Sequence, residues 1–153
     1  VQVLTRFKGV STRTALGLIA EIGDFHRFSH PRELCAWLGI VPSEYSSGQQ
    51  RHRGHITKTG NHHARLLLVE AAWAYRHRPR RPDHGPEPDA RAWQAQIRLH
   101  RRYQHLTTER GKRATVATVA VARELTGFLW AAATDQPLIQ QTAAQPLVLE
   151  AAA

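Results

Sequence analysis

NHHARLLLVEAAWAY, residues Asn61–Tyr75, is the clearest helical pattern in the chain. Its apolar residues recur at steps of three and four, which is the spacing of one face of an α-helix, and Asn61 is a residue type that caps helix N-termini. A helix with one apolar stripe must bury that stripe against other elements, so the pattern favours a mainly α-helical fold. The stripe consists of Ala64, Leu67, Leu68, Ala71, Ala72 and Tyr75.

The segment immediately before this helix, residues 43–60, is polar and contains glycines. It has too few apolar side chains to bury itself, which predicts a surface loop or a short β-ribbon, and we expect extended backbone only between Val41 and Thr59. Within this segment, a hydroxyl that directly precedes a glycine is sterically open to a bulky phosphodiester. Ser47-Gly48 is such a pair.

Basic side chains follow the serines closely along the chain. Guanidinium and ammonium groups stabilise the charged oxygens of a phosphate, and the backbone amides at the start of the next helix form a further anion site. Two interpretations stay open on spacing alone: a basic loop that binds phosphates, or a loop that also contains a nucleophile. The predicted phosphate-binding residues here are Gly48, Arg51, Arg53, Lys58, Gly60, Asn61 and Arg65.

Four histidines lie in the same region, at positions 52, 55, 62 and 63. A tetrahedral zinc site would need a cysteine or a carboxylate to complete it, and none is close in sequence. The 12 acidic residues are scattered along the chain, which disfavours a clustered-carboxylate metal site. We therefore predict no metal ligand and no cofactor in this chain.

The N-terminal segment predicts two short helices around a glycine. The first ends near Gly9, and the second spans about residues 12–22 and stops at Gly23. This order fits a helix-hairpin-helix element, in which turn amides and Lys8 or Arg13 grip a phosphate, although a plain αα-hairpin fits equally well. The expected apolar face of the second helix consists of Leu16, Ile19 and Ala20.

A further short helix is expected to begin after Ser29 or His30, with Pro31 in its first turn, and to end by Gly39. The single cysteine, Cys35, lies in this apolar run. We expect it to be a small core residue rather than a nucleophile, in a protein of the reducing bacterial cytoplasm.

The C-terminal half predicts a separate pair of helices. Residues 79–88 form a proline-rich linker, after which Asp89 can cap a long helix that ends by Gly111. The next helix, about residues 113–133, is apolar around most of its circumference and must pack against the preceding helix, the core or another protomer. The predicted organisation is a helical domain with the serine loop over 1–78, the linker, a two-helix arm over 89–135, and a disordered tail over 136–153.

Charge indicates the class of partner. The chain contains 21 Lys and Arg against 12 Asp and Glu, for a net charge of +9. Such a surplus on 153 residues favours a polyanion, because contacts to a phosphate backbone supply most non-specific affinity for nucleic acid. No apolar run approaches a membrane span. The absence of methionine fits a fragment of a longer protein or a wrongly assigned start, and we expect a fragment.

Several of these segments occur in an order seen in one family. They resemble the C-terminal transposase domain of the insertion-sequence one-ten transposases, the bridge-RNA-guided serine recombinases, over roughly residues 4–133. The segments that carry the resemblance are Ala20–Asp24, Arg27-Phe28, Gly39–Pro42, Ser47-Gly48, Gly54–Asn61, Ala122–Leu125 and Gly127–Trp130.

The resemblance implies a nucleophile and several partners. By position it assigns the nucleophile to Ser47, with Ser46 as the rival, and it implies strand exchange through a covalent phosphoserine. It also implies an N-terminal RuvC-like domain that binds Mg²⁺ through acidic ligands, a guide RNA, and a homo-oligomer assembled on DNA. The alternative is a nucleic-acid-binding remnant or module without recombinase activity.

Overall fold

The computed structural model describes residues 1–47, 50–81 and 88–135, and for residues 44–47 and 50–53 it describes the backbone alone. Gly48, most of the predicted linker and the predicted tail lie outside the described residues. The described part is mainly helical, as predicted, with one two-stranded antiparallel sheet. Its elements are α1 (Thr12–Ile22), α2 (Pro31–Trp37), β1 (Pro42–Ser47), β2 (Gln50–Ile56), α3 (His62–Ala72), α4 (Ala90–Gln104) and α5 (Ala114–Ala133).

The helix boundaries follow from side-chain caps. Asn61 accepts a hydrogen bond from the Ala64 amide and begins α3, and Asp89 begins α4 in the same way. His30, one of the two predicted caps, accepts from the backbone amide of Arg32 ahead of α2. The sequence predicts these three helix starts, and each is confirmed.

The α5 helix lies at the centre of the molecule. It packs on α2, α3 and α4, and its Val121 and Leu125 side chains are completely buried. One continuous hydrophobic core joins α5 to the N-terminal helices. In the described residues α4 and α5 pair with each other, and α5 also completes the core, while the division into a helical domain and an arm stays a prediction.

The α5 helix is also long and apolar enough to cross a membrane by length and composition, with a mean hydropathy of 1.3. No such run was expected from the sequence. Burial explains the composition, because 56% of that window is buried inside the fold, as in the core helix of a globular domain. Val116 is an exception within this largely apolar helix, because its side chain is exposed.

The predicted apolar face of α1 is confirmed only at Ile19, which is partly buried and packs against the core, and it is wrong at Leu16 and Ala20. Leu16 is 52% exposed, whereas Ala15, Leu18 and Ile22 are buried against the core. Both sets have helical spacing, and the packing of α1 on α3 selects the second one. The stop at Gly23 is confirmed by its positive φ of 72°.

The N-terminal turn packs against the end of α3. Leu4–Arg6 is a single 3₁₀ turn rather than an α-helix, so the helix-hairpin-helix stays a prediction. Gly9 has a φ of +84°, and a Cβ at that position would lie 2.2 Å from the Ala71 carbonyl oxygen. Glycine is needed at this turn because the backbone of α3 approaches it closely.

Candidate nucleic-acid interface

The two serines belong to a β-hairpin. Ser46 pairs with Arg51 and Ser47 with Gln50, which is the last pair before the connection at residues 48 and 49. The predicted extended backbone between Val41 and Thr59 is confirmed. Because successive strand residues alternate between the two faces of a sheet, positions 46 and 47 fall on opposite faces of the hairpin.

The serines at the tip of the hairpin lie far from its base. At roughly 3.3 Å per residue, β1 extends about 16 Å from Pro42 to Ser47. Arg51 and Arg53 are hairpin positions near the serines, whereas Lys58 and Arg65 lie beyond the base. The structure therefore does not bring all four predicted basic residues together at the tip.

Backbone hydrogen bonds hold the hairpin base between α2 and α3. The amide of Thr57 donates to the Val41 carbonyl at 3.0 Å, and that of Lys58 donates to the Gly39 carbonyl at 3.0 Å. Gly60 lies against the end of α2, where a Cβ would come within 1.7 Å of the Trp37 carbonyl oxygen. The direction in which the hairpin leaves the helical core is set by these contacts.

A β-bulge lies just above the base. Pro42 pairs with Ile56 and Glu44 with Arg53, so β2 contains one extra residue in this interval. The Ser43 hydroxyl donates to the His55 carbonyl at 2.9 Å and satisfies a backbone group that the bulge frees from the ladder. Bulges increase the local twist of a hairpin, and this one re-aims the strands that carry the serines.

Arg65 has a structural position. It is only 9% exposed, and its Nη1 donates to the Leu38 carbonyl at 2.7 Å and to the Gly60 carbonyl at 3.4 Å. The sequence predicted a phosphate-binding surface for Arg65, since a basic residue one turn into a helix is usually exposed. Here α2 ends against its guanidinium, so Arg65 joins α3 to the hairpin base instead of facing solvent.

A small polar network supports the start of α3. The Glu21 carboxylate accepts from the Asn61 amide nitrogen at 2.7 Å and bonds to Nδ1 of His63 at 2.6 Å. The His63 hydrogen bond, followed by that of Asn61, holds the pKa of Glu21 below its ordinary value. Asn61, predicted to bind phosphate, thus has both side-chain groups engaged within the fold.

Of the two predicted phosphate-binding side chains near the N-terminus, one contacts the fold and the other is exposed. Lys8 Nζ donates to the His77 carbonyl at 3.3 Å and to the Arg78 carbonyl at 3.0 Å. Burial, and then the charge of Arg80, lower the pKa of Lys8. Arg13 is exposed near the start of α1.

Across residues 1–47, 50–81 and 88–135, no group of three or more His, Cys, Asp or Glu is arranged to hold a metal ion. Cys35 is buried, and burial raises the pKa of its thiol to about 12. A thiol that resists ionisation is a poor nucleophile, which agrees with its predicted place in the core.

One basic feature was not predicted from the sequence. Residues 76–81, RHRPRR, were divided between the end of a helix and the start of a linker. In the structure the four arginines of this segment are exposed beside Lys8. The high density of arginines in this segment could have predicted a basic surface. The nearby prolines favoured a linker instead.

Known proteins similar to this chain are transposases of insertion sequences. Residues 1–84 match a family model described as Transposase IS116/IS110/IS902 family. A putative transposase, y4qE, from Sinorhizobium fredii is 45% identical over 143 residues, covering 88% of this chain and 36% of that protein. The transposase for insertion sequence element IS1111A of Coxiella burnetii is 42% identical over 66 residues, covering 43% of this chain and 18% of that protein.

The similarity extends to the element that gives the family one of its names. The insertion element IS110 uncharacterized 43.6 kDa protein of Streptomyces coelicolor is 33% identical over 72 residues, covering 47% of this chain and 18% of that protein. The chain spans at most 36% of the length of these three relatives.

Proposed function

Because the chain belongs to the Transposase IS116/IS110/IS902 family, we propose that it contributes the DNA-binding and nucleophile-bearing portion of an insertion-sequence transposase. Membership of the family implies DNA as a partner. The observation that carries the proposal is the hairpin, which extends two adjacent serines from a helical core on a strand paired with basic positions.

The proposed nucleophile is Ser47. A new bond forms between its Oγ and the phosphorus of a DNA phosphodiester, and one phosphorus–oxygen ester bond breaks. The serine proton passes to a base, and the released sugar oxygen takes up a proton. A later attack by a sugar hydroxyl on the phosphoserine reverses these steps and releases the serine.

Assistance to this reaction is proposed to come from outside the chain. An unassisted serine hydroxyl is a weak nucleophile, and phosphoryl transfer needs cations around the charged oxygens. Arg51 and Arg53 pair with Ser46 and Glu44, on the face opposite position 47, so they are proposed to bind neighbouring phosphates of the DNA rather than the attacked one. The Mg²⁺ of the proposed mechanism is proposed to be bound by the N-terminal RuvC-like domain that the family resemblance implies.

The other proposed partners are a guide RNA and further copies of the chain on DNA. The basic surface supports nucleic-acid binding, with a net charge of +9. Oligomerisation is not needed to cover α5, because the core already buries most of its apolar residues. The proposed role of oligomerisation is to bring the serine hairpin of one copy close to the RuvC-like domain of another.

The test is capture of a covalent protein–DNA adduct on a denaturing gel, using a full-length transposase that contains this chain with matched guide RNA and target DNA. We expect Ser47→Ala to abolish the adduct while DNA binding is retained. Ser46→Ala is the matched control and should cost much less, because position 46 lies on the opposite face of the hairpin.

Two outcomes would contradict this assignment. If Ser46→Ala alone removed the adduct, the nucleophile would be one residue earlier. If both variants formed it normally, serine chemistry would fail, and the chain would be a non-catalytic nucleic-acid-binding module.

A further inference from the structure

Away from the hairpin, the structure displays Arg76, Arg78, Arg80 and Arg81 on one short segment, here called the arginine ridge. We infer that the arginine ridge is a second nucleic-acid surface, which binds the phosphodiester backbone independently of the serine hairpin. The inference rests on the proposed nucleic-acid partner and not on the serine chemistry.

The backbone of the ridge is anchored on two sides. Lys8 donates to the carbonyls of His77 and Arg78, which ties the segment to the N-terminal turn. On the other side, the Arg80 amide donates to Oε1 of Gln96 at 2.6 Å. Gln96 is a buried residue of α4, only 4% exposed, so the fold dedicates a buried polar side chain to this segment.

The α4 helix also contacts the start of the ridge. Nδ1 of His100, one turn after Gln96, is 3.0 Å from the Tyr75 carbonyl oxygen. The segment therefore follows one face of α4. A backbone fixed in advance loses less conformational entropy when its side chains bind a ligand.

Two of the guanidinium groups lie over indole rings. The Arg76 Cζ is 5.9 Å from the centroid of Trp73, and the Arg81 Cζ is 5.6 Å from that of Trp93. Stacking orients the plane of a guanidinium, and Nε of Arg76 also donates to Nε2 of His77 at 3.0 Å. Planar, oriented donors suit the paired oxygens of a phosphate.

Within the described part of the chain, three of the four ridge arginines, Arg76, Arg78 and Arg80, have no ion pair with a carboxylate. Lys8 adds a further cation, and the charge of Arg80 helps to lower its pKa. Like charges held this close repel each other, and a polyanion relieves that repulsion.

The test compares the 153-residue chain with a variant in which Arg76, Arg78 and Arg80 are all changed to Gln. Binding to duplex DNA and to single-stranded RNA of the same sequence is measured across a salt series. Removing one cation–phosphate interaction should flatten the log–log salt slope by about 0.9 for duplex and about 0.7 for single strands. The larger loss of affinity identifies which of the two polymers the ridge prefers.

The matched control changes Arg110, Lys112 and Arg113 to Gln. These three residues are exposed at the α4–α5 connection, and their replacement removes the same charge. We expect the ridge variant to lose two to three times more slope than the control. Equal losses would show that only net charge matters and would overturn the inference, as would a ridge variant that binds like the parent.

A second variant keeps every charge. Gln96→Leu removes the acceptor for the Arg80 amide, and we expect affinity to fall several-fold with an unchanged salt slope, while thermal melting verifies folding. If affinity were unchanged, the hydrogen bond from the Arg80 amide to Gln96 would not contribute to binding, which would contradict the inference that the ridge is held in place for its ligand. The two proposals can fail separately. If binding depends on the ridge but the full-length transposase forms no covalent adduct, only the serine chemistry is refuted. If the adduct forms but the ridge variant binds DNA like its control, only the ridge is refuted.

Discussion

Arg65 and Lys8 both use their positive charge on main-chain carbonyls. The Arg65 guanidinium donates to Leu38 and Gly60, and the Lys8 ammonium donates to His77 and Arg78. The Arg65 bond to Leu38 is buried, and a buried carbonyl without a partner is destabilising, so Arg65 stabilises the end of α2, whereas the Lys8 bonds are exposed at the surface. The two Lys8 bonds and the Arg65 bond to Leu38 join residues far apart in the sequence, so composition and local spacing could not predict them.

Arg65→Gln should lower the free energy of unfolding by about 2–3 kcal/mol, because the shorter neutral amide leaves a carbonyl at the hairpin base unsatisfied. Arg13→Gln removes the same charge from an exposed position and should change stability by less than about 0.5 kcal/mol. Urea denaturation measures both values. An Arg65→Gln protein of parental stability, with a flattened salt slope for DNA binding, would return Arg65 to the phosphate-binding surface.

At the scale of elements, the hairpin shows how far a polar segment can be predicted. The lack of apolar residues and the glycines correctly indicated extended backbone between Val41 and Thr59. The bulge opposite Ser43 and the register that pairs Ser47 with Gln50 depend on where α2 and α3 hold the strands. Those interactions are long-range, and local spacing does not encode them.

Gly60→Ala should destabilise the protein by about 3 kcal/mol or more and disturb the hairpin, because its new Cβ would overlap the Trp37 carbonyl at the end of α2. The matched control is Gly127→Ala within α5, where the nearest atom to a new Cβ is Pro31 Cβ at 3.9 Å. That change should be neutral or stabilise by up to about 1 kcal/mol, since alanine favours helix. Thermal melts of the two proteins that coincide would contradict the close approach of α2 to Gly60.

At the scale of the whole molecule, the packing of α5 determines whether the N-terminal and C-terminal helices unfold together or separately. Its composition correctly predicted a helix that must be covered, but three covers fitted equally well: the preceding helix, the core or a second protomer. Apolar periodicity shows that a face is buried without identifying its partner. In the described residues, α5 is covered by both α4 and the N-terminal helices. Unfolding of α5 should therefore also destabilise α2 and α3, which hold the base of the hairpin.

Leu125→Ala tests this cooperative unit. Leu125 is completely buried, and its truncation should cost about 2–5 kcal/mol through the reduced apolar burial and the cavity left behind. Val116→Ala in the same helix, at a position 47% exposed, should cost less than about 0.5 kcal/mol. Hydrogen exchange of the parent and both variants provides the measurement: with Leu125→Ala, the slowest amides of α3 and of α5 should lose the same protection, because both open in one global unfolding event. If α3 kept its protection while α5 lost it, the C-terminal helices would form an independent arm, and the serine hairpin would rest on a smaller N-terminal domain.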